Sequence, residues 1–267
     1  MFLRKTKSSL TAFRSASCKI CGCDAQYFGS VDFSKNCEGL QLPVSGVEVP
    51  YFRCSFCGFL FTDLCDNWSS ADFAERIYNE DYIQVDPAFA SQRPLEESER
   101  FARVLAPLKG RVRFLDYGGG NAQFARLMHE RGFDAASYDV FHKCDLEPPQ
   151  GERFDLLHCC EVLEHSGNPQ LLVADMARLM TENSAVFMST QFLPGNIADI
   201  GLNWWYIGPR NGHISLFTME SLAMLWNEQG LEFGSFDGVR HLAWRGDPPA
   251  FDCLIRGIGT LYQNPKS

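Results

Sequence analysis

Apolar residues between positions 111 and 245 switch repeatedly between two spacings. Val112, Phe114 and Leu115 form a short apolar run, which predicts a strand covered on both faces. Phe124, Leu127 and Met128 then recur at i, i+3 and i+4, predicting a helix over 121–131 that stops at Gly132. Strands are expected over 133–140, over 154–159 after Gly151, and over 185–189. A helix is expected over 169–180, where Leu171, Leu172, Val173, Met176, Leu179 and Met180 are apolar. A second spans 218–230, with Thr218 as its cap and Gly230 as its stop. Residues 231–236 and a segment within 250–258 are expected to be the last strands. Strands alternating with helices predict an α/β fold: a doubly wound, mostly parallel sheet with helices on both faces.

Upstream the pattern differs. Residues 67–110 read as a helical connector with an amphipathic stretch over 72–79 and a second helix over 92–108, ended by Pro107 and Gly110. Tyr82 lies between them and is expected to face the ligand cleft. Residues 1–17 carry Arg4, Lys5, Lys7 and Arg14 without an acid and lack an apolar core, so a flexible tail is expected rather than a secretory signal. Residues 18–66 form a small module and 111–267 the main domain.

Bulk composition narrows the function. The chain has 267 residues and a formal charge of -9, with 45% hydrophobic residues. An acidic surface disfavours nucleic acid as partner, and no apolar run is long enough for a membrane span. Eleven cysteines in a chain of this length point to reduced thiols, some on metal, and to a cytoplasmic setting. Seven of them fall within residues 18–65. Cys18 and Cys21, followed by Gly22, and Cys54 and Cys57, followed by Gly58, repeat one C-x-x-C-G unit. Two such turns predict a closed tetrahedral zinc site whose work is folding. Cys23, Cys37 and Cys65 are alternative ligands.

Gly118, Gly119 and Gly120 follow the first strand of the main domain, where they permit a turn and let a ligand approach bare backbone. Asp139 ends the second strand, the position at which a doubly wound fold holds a ribose. Gln123 occupies the third position of the dinucleotide glycine fingerprint, which argues against NAD. In an open sheet of this kind the ligand sits beyond the carboxyl ends of the strands.

These residues resemble a family. Leu115 to Gly120 looks like the first motif of class I S-adenosylmethionine-dependent methyltransferases, and Tyr138-Asp139 like their second-strand acid. Phe154 to Leu157 with Glu161-Val-Leu-Glu164-His165 is similar to their fourth-strand segment. His213-Ile-Ser-Leu-Phe-Thr218 resembles a segment of a ubiquinone-methyltransferase-like branch, and the paired C-x-x-C units resemble a sugar C-methyltransferase-like branch. The resemblance implies a Rossmann-like fold that binds S-adenosylmethionine. It places Asp116 and Gly118 to Gly120 at the methionine moiety, Asp139 and Val140 at the ribose, Asp145 near the adenine and Glu161 beside the sulfonium. Phe154 follows Asp139 by only 15 positions, which leaves room for one short strand at most and abbreviates the adenine side.

Methyl transfer to a hydroxyl, amine or carbon acid requires loss of a proton, which a histidine near neutral pKa can take. His213 is the first candidate base and His165 the second, with Tyr206 a further candidate catalytic residue. Trp204, Trp205 and Tyr206, among several glycines, are expected to form an aromatic lid. Arg210 is a candidate partner for an anionic group on the acceptor. The resulting reading is a methyltransferase acting on a small molecule such as a sugar or secondary metabolite, of open oligomeric state. The alternatives are a noncatalytic zinc-containing binding module with a vestigial Rossmann domain, and a nicotinamide oxidoreductase.

Overall fold

The computed structural model describes residues 15–148 and 150–263. The flexible tail expected for 1–17 lies outside them except for Ser15–Ser17, which form strand β1. Strands β2 (Asp24–Asp32), β3 (Glu48–Cys54) and β4 (Leu60–Phe61) follow, all antiparallel to their neighbours. Helices α1 (Ser70–Arg76), α2 (Tyr82–Val85) and α3 (Gln92–Val104) lead into the main sheet. Ser69 and Asp72 cap α1 reciprocally, which sets its start.

The main unit then runs β5 (Arg113–Tyr117), α4 (Gln123–Glu130), β6 (Asp134–Tyr138), β7 (Phe154–Cys160), α5 (Pro169–Arg178) and β8 (Met180–Ser189). After α6 (Ile197–Ile200) come β9 (Ser215–Leu216), α7 (Met219–Glu228), β10 (Glu232–Ser235), β11 (Arg240–Arg245), α8 (Phe251–Ile258) and β12 (Tyr262–Gln263). The seven-stranded sheet has the order β12-β10-β11-β8-β7-β5-β6. Its four central-to-edge strands β8, β7, β5 and β6 are parallel, and β11, β10 and β12 extend it antiparallel.

Alternation along the strands explains the three layers. Phe114, Leu156 and Phe187 point to one face and pack with Phe101 of α3, Phe124 and Met128 of α4 and Leu254 of α8. Leu115, Leu157, Val186 and Met188 point to the other, against Val173 and Met176 of α5 and Leu225 and Trp226 of α7. This is the mixed α/β, mostly parallel Rossmann-like arrangement expected from the alternating spacings.

Two elements differ from expectation, and the span between β6 and β7 stays within it. The segment 251–258 is a helix, not a strand: Phe251, Leu254, Ile255 and Ile258 recur at i, i+3, i+4 and i+7 and pack in the α3 and α4 layer. Residues 240–245 are a strand, buried from His241 to Trp244. Between β6 and β7 no strand forms among the described residues, so β6 is the sheet edge. No helix among the described residues is long and apolar enough to cross a membrane.

The small sheet continues into the main unit. Its fifth strand is β9, so Leu60 pairs with Leu216 and Phe61 with Ser215. One of its faces shares a core with α5 and α7, and the other packs on Ile197, Trp204, Tyr206 and Ile207.

His241 of β11 is fully buried, with Nδ1 2.9 Å from Ser235 Oγ and Nε2 2.8 Å from the Thr190 carbonyl. Burial pushes it down from 6.5 to about 4. The unfolded chain therefore binds a proton that the native state refuses, and this contribution is full above 6.5 and is lost as pH falls toward 4. It amounts to about 3 kcal/mol at most. Urea midpoints should fall over that window, and His241→Gln should flatten the slope; an unchanged slope refutes the assignment.

Candidate functional site

The carboxyl ends of β5, β6, β7 and β8 open into one cavity of about 730 Å³. The switch point lies at β5, where β6 is on one side and β7 on the other. Gly118 and Gly120 have φ of 76° and 54°, in the left-handed region that glycine tolerates. The turn is crowded at Gly118 and Gly119 as well as bent. A Cβ on Gly118 would lie 2.5 Å from Val162 Cγ2, and one on Gly119 2.3 Å from both Asp116 Oδ2 and Ser137 Oγ. Those two oxygens are buried and have no hydrogen-bond partner.

Asp139 ties the turn to the edge strand. Its Oδ2 accepts from the Gly120 amide at 2.9 Å, and its Oδ1 accepts from the Phe141 and His142 amides at 2.7 and 3.1 Å. Val140, 64% exposed, lines the cavity beside it. Asp145 departs from expectation. It lies outside the cavity lining, 74% exposed, paired with Arg126 of α4 at 2.5 Å. With no strand between β6 and β7, nothing turns its loop back over the cavity.

The opposite wall comes from the turn after β7. Glu161 adopts φ of 55°, unusual for a side-chain-bearing residue, and lines the cavity. Ser189 Oγ donates to its Oε1 at 2.9 Å. The Tyr206 hydroxyl lies 2.6 Å from Glu164 Oε1 and 3.3 Å from Glu161 Oε2. Burial and then the Glu161 charge push the Glu164 carboxyl up. His165 and His213 meet edge to face, with ring centroids 5.0 Å apart. His213 Nδ1 lies 2.8 Å from the Tyr206 carbonyl, which assigns the proton to that nitrogen. Burial lowers His165 to about 4 and His213 to about 3.

Tyr206 is 2% exposed and fixed in this network, and Trp204 is 7% exposed in the second core. Of the three aromatics expected to form a lid, only Trp205 remains largely exposed at the rim. Tyr82 is buried in the cavity wall, stacked edge to face on Tyr78 and Phe89. Arg210 points elsewhere than expected: it donates to the Ile77 carbonyl and to Asn79 Oδ1, both at 2.9 Å, and so staples the connector to the 191–217 loop.

Sequence reasoning passed over the floor. His158 of β7 pairs in register with Asp116, and its Nδ1 lies 3.0 Å from Asp116 Oδ1. It stacks on Phe124 at 4.1 Å, with Cys160 and Glu97 on its other side. Burial favours the neutral ring, but Cys160, Asp116 and Glu97 outweigh it and raise its pKa well above the ordinary value. The available signal was the period-2 face Phe154, Leu156, His158, Cys160 below the glycine turn.

Away from the cavity, Cys18, Cys21, Cys54 and Cys57 converge. Cys18 and Cys57 Sγ lie 3.6 Å apart, Cys21 and Cys54 3.4 Å, Cys21 and Cys57 3.7 Å. The amides of Ile20, Phe56 and Cys57 point at sulfur, each at 3.4 Å. Gly22 and Gly58 take φ of 72° and 73° just after each pair. Cys37 instead sits beside His213, while Cys23 is exposed and Cys65 is outside the cluster.

A family profile described as a methyltransferase domain matches residues 89–234, more than half of the chain. No curated protein matches. Similar solved structures include an O-methyltransferase family protein from Burkholderia thailandensis, at 15% identity over 67% of this chain and 69% of that one, TM-score 0.40. Mitomycin 7-O-methyltransferase is 12% identical over 69% and 62%, TM-score 0.49. Human N-acetylserotonin methyltransferase, solved in complex with SAM, is 15% identical over 65% and 60%, TM-score 0.42. The chain spans less than two thirds of the length of these last two.

Proposed function

The chain belongs to the methyltransferase domain family and is an S-adenosylmethionine-dependent methyltransferase; from that premise we propose that it methylates a small molecule, such as a sugar or secondary metabolite, in the cavity at the ends of β5 to β8. The observation that carries the reading is the glycine turn held to β6 by Asp139, with an unpartnered Asp116 oxygen beneath it. A cavity of about 730 Å³ suits a nucleoside-amino acid ligand together with an acceptor.

S-adenosylmethionine supplies an electrophilic methyl on a sulfonium, and the residues present fit it. Asp116 and the bare backbone of Gly118 to Gly120 hold the methionine moiety. Asp139 keeps lone pairs for ribose hydroxyls, and Val140 covers the nucleoside. Asp145, exposed and paired with Arg126, has no place in this set. Glu161 and the Tyr82 side close the far end, and the aromatic wall excludes water without fixing the sulfonium too strongly in the ground state.

On the acceptor side stand Tyr206, His165 and His213. Burial keeps both histidines neutral throughout the physiological range, so they offer lone pairs rather than a stored proton. That weakens His213 as a free-standing general base, because a base works best with a pKa near the operating pH.

The four cysteine sulfurs fit a structural zinc. Zinc-sulfur bonds of about 2.3 Å in a tetrahedron put sulfurs about 3.8 Å apart, close to the 3.4–3.7 Å separations within the cluster. A closed thiolate set leaves no position for substrate, so its role is to hold β1 to β4.

Calorimetry of the purified chain with S-adenosylhomocysteine tests the reading. The expected result is saturable binding at one site with micromolar or tighter affinity, about -8 kcal/mol or better. Absence of heat with both S-adenosylhomocysteine and S-adenosylmethionine overturns it.

A further inference from the structure

Glu164 is fully buried, yet no lysine or arginine pairs with it among the described residues. One of its oxygens takes the Tyr206 hydroxyl, and the other, Oε2, has no partner. Glu161 reaches the same hydroxyl. Two ionised carboxylates sharing one donor in a low-dielectric wall repel each other, which a shared proton or a cation between them relieves. His165 Nδ1 is likewise buried without a partner. His213 directs Nδ1 to a carbonyl, which leaves the lone pair of its Nε2 free and fixes the ring, as outer hydrogen bonds do for metal-bound imidazoles. One ligand atom from each of Glu164, His165 and His213 lies within 4.8 Å of the others.

We propose that Glu164, His165 and His213 bind one divalent transition-metal cation in the cavity wall. The inference deepens the methyltransferase reading and rests on it. Ligands about 2.1 Å from a tetrahedral cation lie about 3.4 Å apart, so binding closes separations of up to 4.8 Å by about 1.4 Å at most. Two imidazoles and one carboxylate suit Mn²⁺, Fe²⁺ or Zn²⁺ better than a purely oxygen-seeking ion, and the soft thiolate set lies elsewhere. His165 and His213 line the cavity, so the remaining coordination positions face the acceptor. Such a cation fits an oxygen ligand there, which names a hydroxylated acceptor, with a neighbouring oxygen that can chelate.

The test is direct metal binding by the full-length chain. Mn²⁺ is titrated and followed by electron paramagnetic resonance of the free ion, with Zn²⁺ as competitor and total zinc measured per chain. The expected result is one Mn²⁺ or competing Zn²⁺ site beyond the thiolate zinc. Glu164→Gln and His213→Ala should each weaken it at least about tenfold while leaving thiolate zinc unchanged. Calorimetry with S-adenosylhomocysteine checks that each variant is folded, and Glu164→Gln preserves shape where His213→Ala perturbs packing. Absence of any site beyond the thiolate zinc, or wild-type affinity in both folded variants, overturns the proposal. Failure of the wild type to bind S-adenosylhomocysteine while the metal results hold refutes the methyltransferase reading alone.

Discussion

Cys57→Ser is expected to lower the melting temperature by about 10 °C and to disturb the acceptor wall as well as the small sheet. The proposed zinc site carries this expectation. Structural zinc contributes about 10–16 kcal/mol to isolated zinc-finger peptides. Here the surrounding core supplies part of the stability, so a loss of about 3 kcal/mol or more is expected, and each kcal/mol moves a chain of this size by about 2–4 °C. The damage should spread because Cys57 is tied onward. Its carbonyl accepts from Thr218 Oγ1 at 2.6 Å, and the same Oγ1 caps α7 by accepting from the Ser221 amide. The β4 strand pairs with β9, and the Tyr51 hydroxyl donates to the His213 carbonyl at 2.8 Å. A metal-free thiol cluster predicts otherwise: serine would cost about 1 kcal/mol and chelators nothing. Thermal melts of wild type, wild type with chelator and Cys57→Ser separate the two, with the exposed Cys23→Ser as control. No shift with chelator together with a loss of at most about 4 °C in Cys57→Ser sinks the zinc assignment.

What could be read in the chain depended on how local the signal was. The β5 turn was legible because three glycines after an apolar strand leave few other conformations. The cysteine pairs were legible because each C-x-x-C-G is a complete local unit. The helix at 251–258 has helical apolar spacing, but so short an apolar run reads equally well as a last strand. The strand at 240–245 is apolar on both faces with a histidine inside it, so neither alternation nor hydrophobicity marked it cleanly. The placements of Arg210 and Tyr206 are hidden in the sequence for a common reason. Their roles are set by Ile77, Asn79, Glu161 and Glu164, partners more than 40 positions away, which no window of sequence displays. His158 is the same case: its importance comes from register with Asp116.

Gly119→Ala is expected to reduce affinity for S-adenosylhomocysteine by about 10- to 100-fold, which is about 1.4–2.8 kcal/mol. Backbone strain is not the cause, because only Gly118 and Gly120 of the three have left-handed φ. The obstacle is contact. An added Cβ would sit 2.3 Å from Asp116 Oδ2 and Ser137 Oγ and 2.9 Å from Asp116 Cγ. Asp116 cannot swing away cheaply, since its other oxygen bonds His158 and the side chain is buried. The turn must lift or the carboxylate must rotate, and either change removes the surface proposed for the methionine moiety. Overpacking of this kind also costs about 1–3 kcal/mol of stability. Gly120→Ala makes the contrast, for its Cβ would meet nothing within 4 Å and its cost is that of φ alone, about 1–2 kcal/mol. Calorimetry with S-adenosylhomocysteine and parallel melts of the two variants decide the matter. Wild-type affinity in Gly119→Ala removes the glycine turn from the cofactor site, because no ligand could rest on that backbone and ignore a displaced Asp116.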